Sequence, residues 1–158
     1  MFLNKRVWFI ALSILVVLLA ATLQNEHVFG ISGIRPNLVL VVLIVLCFFT
    51  NDLGLFCLLI LLACIGIRFA PGISREALAL TLVSLAAFFV KERAVWPGVF
   101  ATAILLLLGT FCMYAFIQPQ FIYQDFGSVV FESVYNIVLG FVLFEIVSLY
   151  VKKTRLTI

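Results

Sequence analysis

Apolar residues run along this chain in six blocks: residues 7–23, 38–50, 53–67, 77–90, 95–117 and 129–151. Strands of an outer-membrane barrel would alternate apolar and polar residues, and these blocks do not. Helices satisfy every backbone group internally, as a hydrocarbon solvent demands. The pattern predicts an all-α polytopic membrane helix bundle of about six transmembrane helices, forming one integral membrane domain over residues 1–158. The second, third and fourth runs are short for a bilayer core that needs about 20 residues. The second and third are parted only by Asn51-Asp52. They read as two short crossing helices, as a re-entrant pair, or as one bent span.

The charges between the runs choose among these. With six spans and the amino end inside, the inner side holds Lys5, Arg6, Lys91, Arg93, Lys152, Lys153 and Arg155, against Arg35, Arg68 and Arg75 outside. Seven against three follows the positive-inside rule. Fusing residues 38–67 flips everything downstream and leaves four inside against six, which breaks the rule. A re-entrant pair keeps the same parity. Both termini are therefore expected in the cytoplasm. Trp8, Trp96 and Tyr150 fall at the inner boundary as aromatic anchors, and Tyr114 and Tyr123 near the outer one. Trp96-Pro97 is expected to open the fifth helix. Asn51, Gly72 and Gly127 punctuate turns, and residues 117–127 read as the longest late loop.

Composition supports the lipid setting. Hydrophobic residues make up 66% of the 158 positions and charged residues 11%, with a mean hydropathy of +1.32. A soluble fold cannot bury so large an apolar fraction. The amino end resembles a signal peptide, but its run of residues 7–23 exceeds the usual core of about 7–15. It is read as a retained first helix. The net charge of +3 points to no nucleic acid, because the cations cluster at segment ends. Cys47, Cys57, Cys64 and Cys112 lie inside apolar runs without ligand spacing and read as packing residues. His27 stands alone, so neither a metal nor another cofactor is expected.

The polar groups within the runs are the candidate chemistry. The last run carries Glu132, Tyr135, Asn136 and Glu145. A charge at membrane depth costs about 2.5–3.5 kcal/mol and calls for a partner or a purpose. At about 100° per residue, Ser128, Glu132, Asn136 and Gly140 share one helix face, with Glu145 on the opposite side near Lys152. The two carboxylates face different neighbours and form no acid–base dyad. Arg35-Pro36-Asn37 opens the second run. It reads as a capped helix start, or as a partner for Glu132 or Asn136. Asp52 reads as a solvated turn residue, with Lys91 or Arg93 as the alternative partners. Ala63, Gly66, Gly98 and Thr102 are expected to let helices approach closely.

These features resemble the MreD family, the small membrane component of the bacterial rod-shape machinery. The resemblance rests on the six-run layout, on Ile34-Arg35-Pro36-Asn37-Leu38-Val39-Leu40 at the head of the second run, on the closely spaced second and third runs, and on Asn136 followed by the basic pair Lys152-Lys153. The acid that the family usually carries after its third span has no counterpart in Ala63-Cys64-Ile65-Gly66-Ile67-Arg68, so no role for it passes to this chain. The resemblance implies a fold like the substrate-binding subunits of energy-coupling-factor vitamin transporters. It implies a non-enzymatic scaffold in the bacterial inner (cytoplasmic) membrane that binds MreC and links MreB filaments to peptidoglycan synthesis by RodA and its partner transpeptidase. Arg35, Asn37, Glu132 and Asn136 are the expected partner-binding residues. The rival expectation is a vitamin-binding transport subunit. An enzyme ranks third, because no HExxH, CxxC, Ser–His pairing or phosphate loop occurs.

Overall fold

The computed structural model describes residues 2–26, 34–67, 74–93 and 97–154. Among these residues seven helices follow one another: α1 (Phe2–Asn25), α2 (Leu38–Phe48), α3 (Leu53–Ile67), α4 (Arg75–Lys91), α5 (Gly98–Ile117), α6 (Pro119–Gln124) and α7 (Phe126–Thr154). No sheet occurs among the described residues. His27, Arg68, Gly72, Trp96 and Arg155, all named above, lie outside them.

Local chemistry sets the helix starts. Asn37 Oδ1 accepts the Leu40 amide at 3.0 Å and begins α2. Asp52 Oδ1 does the same for Leu55 in α3 at 3.2 Å. Ser74 Oγ caps Ala77 in α4 at 3.1 Å, and Asp125 Oδ1 caps Ser128 in α7 at 3.2 Å. Each takes up an amide that the first helical turn leaves without an intrahelical acceptor. Pro97 stands at the cap of α5, one position before the first turn. The stretch expected to be a loop before the last helix contains α6, and Gly127 lies inside α7 rather than at a turn.

The expectation of about six transmembrane helices is corrected. Among the described residues, three helical segments are long and apolar enough to cross a bilayer: Lys5–Asn25, Gly98–Ile117 and Phe126–Lys153. The physical reason is length. The 11 residues of α2 rise roughly 16 Å at about 1.5 Å each, against a hydrocarbon core of about 30 Å. The 15 residues of α3 reach only roughly 22 Å. Arg75, Glu76 and Lys91 shorten the apolar part of the 17-residue α4 from both ends.

Burial shows what the shortest helix does instead. Every residue of α2 from Val39 to Cys47 is buried. A helix that is apolar on all sides belongs in an interior, and α2 is the axis around which the bundle is built. It packs against α1, α4, α5 and α7, and its Leu40, Leu43 and Ile44 join Phe56, Leu59, Leu80 and Leu106 in the core. The longer helices reverse this distribution outward. Trp8, Phe100, Phe131 and Leu149 are each more than 60% exposed, and α7 leaves Val134, Val138, Phe141 and Ile146 uncovered as well. An apolar exterior of this extent marks a membrane protein that crosses more than once.

The bundle has a basic end. Arg6 of α1 bonds Asp52, at the head of α3, at 3.3 Å. Lys91, at the end of α4, donates to the carbonyls of Cys47 and Thr50 at the end of α2, and its ammonium lies 4.1 Å from the centre of the Phe88 ring. A cation on the final carbonyls of a helix meets the negative end of its dipole. Burial pulls this ammonium below its ordinary pKa. Phe144 of α7 packs on Phe48 and Phe49 at the same end, and Lys152 and Lys153 follow it along α7. The start of α1 and the end of α7 thus share one end of the bundle. Arg6 is the partner of Asp52, in place of Lys91 or Arg93. The opposite end is tied by α1, where Gln24 Oε1 accepts the Val39 amide at 3.1 Å and Asn25 Nδ2 donates to the Gly66 carbonyl at 3.0 Å.

Candidate partner-binding site

The α5–α7 contact follows a simple register. Glu132, Asn136 and Gly140 descend α7 four residues at a time, so they lie on one face. Tyr114, Thr110 and Leu106 ascend α5 in the same steps. The helices run antiparallel, and the three pairs meet: the Tyr114 hydroxyl donates to Glu132, Asn136 Nδ2 donates to Thr110 Oγ1 at 3.0 Å, and Gly140 faces Leu106. A Cβ added to Gly140 would overlap the Leu106 side chain, so the glycine permits this close approach. Gly66 makes a similar approach on α3, where an added Cβ would sit 2.8 Å from Ala21 Cβ.

Asn136 is the hub. It has 0% exposure. Its Oδ1 accepts the Asn37 amide at 2.9 Å, joining α7 to the head of α2. Its amide nitrogen meets Thr110 Oγ1, which donates onward to the Leu106 carbonyl at 2.8 Å. This sequence of donors and acceptors fixes which end of the amide is oxygen. Phe121 of α6 stacks on the Tyr114 ring, with centroids 5.4 Å apart and planes 11° off parallel. The short helix thereby holds the phenol over Glu132. A satisfied polar network in a low-dielectric interior fixes helix register, because shifting it strands several buried groups at once.

Of the four expected residues, the structure gathers Asn37, Asn136 and Glu132 into this cluster. The link from Asn37 runs through its backbone N–H, while its side chain serves the α2 cap. Arg35 lies two residues upstream, and its side chain is exposed. Ser128 stands four residues before Glu132 on α7, and its hydroxyl donates to Asp125 Oδ2 at 2.6 Å. Sequence reasoning missed Thr110 and gave Tyr114 only the role of an outer-boundary anchor. Thr110 is one of two threonines in a long apolar run, and four-residue spacing from Tyr114 is the signal that could have found it. Gln24 and Asn25 were also missed, because the apolar run that precedes them stops at Leu23.

The first amides of α2 are taken up by oxygens of the chain itself: Asn136 for Asn37, the Pro36 carbonyl for Leu38, Gln24 for Val39 and Asn37 for Leu40. A helix start that presents free amides can hold an anion, and this one is filled by the protein. A separate cavity of about 410 Å³ lies at the α5–α6 elbow, lined by Arg75, Gln118, Gln120, Phe121 and Gln124. Among the described residues, no three His, Cys, Asp or Glu side chains are placed to hold a metal ion. No protein family, curated protein or solved structure matches this chain.

Proposed function

We propose that this chain is a non-enzymatic membrane scaffold of the bacterial cell-elongation machinery. In this reading it binds an MreC-type single-span protein and, through it, couples MreB filaments to peptidoglycan synthesis by RodA and its transpeptidase. The observation that carries the reading is the hydrogen bond between Asn37 and Asn136. These residues come from the two stretches on which the likeness to MreD is most specific, and they lie 99 positions apart in the chain. Their meeting supports the reading, since the proline-led start of α2 and the late asparagine form one joint. The cluster acts as an internal lock that holds α2, α5 and α7 in register. A scaffold needs such rigidity to present its outer faces to partner helices, which in lipid associate through packing and hydrogen bonds.

The reading places the bundle in the cytoplasmic membrane with its basic end and both chain termini facing the cytoplasm. Support comes from Arg6, Lys91, Lys152 and Lys153 sharing that end, as the positive-inside rule requires. Affinity capture of the tagged full chain from its own membranes tests the proposal. Co-recovery of an MreC-type protein with RodA is the expected result, and its absence under conditions that retain other membrane complexes counts against the scaffold.

The 410 Å³ cavity favours a second reading, a solute-binding subunit of an energy-coupling-factor type transporter. It combines a cation, three amides and an aromatic wall. Capture of a transporter ATPase, or a saturable thermal shift with a vitamin, would support that alternative.

A further inference from the structure

A groove runs between α1 and α7 toward the basic end. Phe9 and Val16 form one wall, Leu143, Val147 and Tyr150 the other, and Leu46 of α2 the floor. Its volume is about 190 Å³. Ser13 is the one hydroxyl in its helical walls besides Tyr150 and is only 2% exposed. Trp8 and Leu12 beside one wall, and Ile146 and Leu149 beside the other, are exposed apolar side chains. The groove therefore opens sideways, toward the surface that the exterior offers to hydrocarbon.

Size selects the occupant. An α-helix with its side chains is about 10 Å across and does not enter a volume of this kind. Several methylenes do, since apolar cavities of about 150 Å³ already hold benzene. Charge selects the headgroup. At about 100° per residue, Lys153 follows Tyr150 on the groove side of α7 and is exposed, whereas Lys152 lies on the far side of the helix. Lys5 and Arg6 precede Phe9 by about one turn on the other wall. Of the acids at this end, Asp52 is held by Arg6, Glu92 follows Lys91 at the end of α4, and Glu145 is exposed on the side of α7 away from the groove. Cations thus dominate the mouth, as recognition of an anionic lipid requires.

We propose that an anionic phospholipid binds this chain with one acyl chain in the α1–α7 groove and its phosphate on Lys153. The inference is independent of the scaffold reading. Native mass spectrometry of the full-length protein, titrated with phosphatidylglycerol and with phosphatidylcholine of identical acyl chains, tests it. Phosphatidylglycerol is retained preferentially, and Lys153→Gln weakens it about fivefold, equivalent to about 1 kcal/mol, without changing phosphatidylcholine, while Lys152→Gln on the far side of α7 leaves both unchanged. Val147→Trp fills the groove and abolishes retention of both. In the unmodified chain, phosphatidylglycerol with a photoreactive acyl tail labels the segments around Phe9–Val16 and Leu143–Tyr150, a readout that does not depend on any variant folding. Equal retention of the two lipids, or label spread evenly over the apolar exterior, overturns the proposal. So does a Val147→Trp protein that keeps its lipid but loses a co-purifying single-span protein.

Discussion

Leu106 fills the space that a side chain on Gly140 would need. Leu106 has 0% exposure and belongs to the core that surrounds α2, so it has little room to retreat. Gly140→Val is expected to destabilise the bundle by about 1–3 kcal/mol through overpacking. Adding Leu106→Ala should recover part of that loss, because the two side chains compete for one volume. Reversible unfolding in mixed micelles measures both, and strict additivity of the two changes would contradict the contact.

Replacing Asn136 by Leu leaves the Asn37 amide without its acceptor and Thr110 without a donor. A stranded buried polar group costs about 1–3 kcal/mol. Glu132→Gln keeps an acceptor for the Tyr114 hydroxyl and should cost less. The same unfolding assay ranks the two variants. A Glu132→Gln protein less stable than Asn136→Leu would show that the carboxylate, rather than the amide, is the hub.

Lys91→Met removes the cation from the end of α2, with an expected loss of about 1–2 kcal/mol for a partly buried charge at a helix terminus. The local consequence is more specific. Cys47, whose carbonyl Lys91 holds, is buried with 0% exposure. Fraying of this last turn should let a maleimide reach Cys47 faster in the variant than in the parent protein. Arg6→Ala serves as the control. Its ion pair is 65% and 49% exposed on the two sides, and such pairs contribute about 1 kcal/mol or less.

Cys57 and Cys112 are exposed on the bundle exterior. If that exterior meets hydrocarbon, nitroxide labels at these positions will relax strongly with dissolved oxygen and weakly with a water-soluble nickel chelate. The opposite order at both positions would place these faces in water.

Long helices were the most legible part of this fold in its sequence. The runs that became α1, α5 and α7 carry enough consecutive apolar residues to declare themselves. The second run was harder, because hydropathy measures how apolar a segment is and not what surrounds it. Leu, Val and Ile in α2 face other helices, while the same residue types in α7 face outward. Only the 11-residue length of α2 distinguishes the two cases, and counting charges between runs gave that length too little weight. The polar face of α7 was readable from helical geometry alone, since Glu132 and Asn136 are four residues apart. Its partners were not, because which helix lies opposite is a tertiary fact. Pairing Asp52 with Arg6 needed the same knowledge, as the two residues are 46 positions apart.

A helix sheathed on every side cannot be placed by partitioning alone. During synthesis α2 emerges before α4, α5 and α7, the neighbours that will cover it. Until they arrive it has neither the reach to anchor itself nor a finished shell to occupy. Biogenesis must therefore end with an assembly step in which late helices close over an early one, and a nascent chain cut short before α7 would leave that early segment as a substrate for membrane quality control.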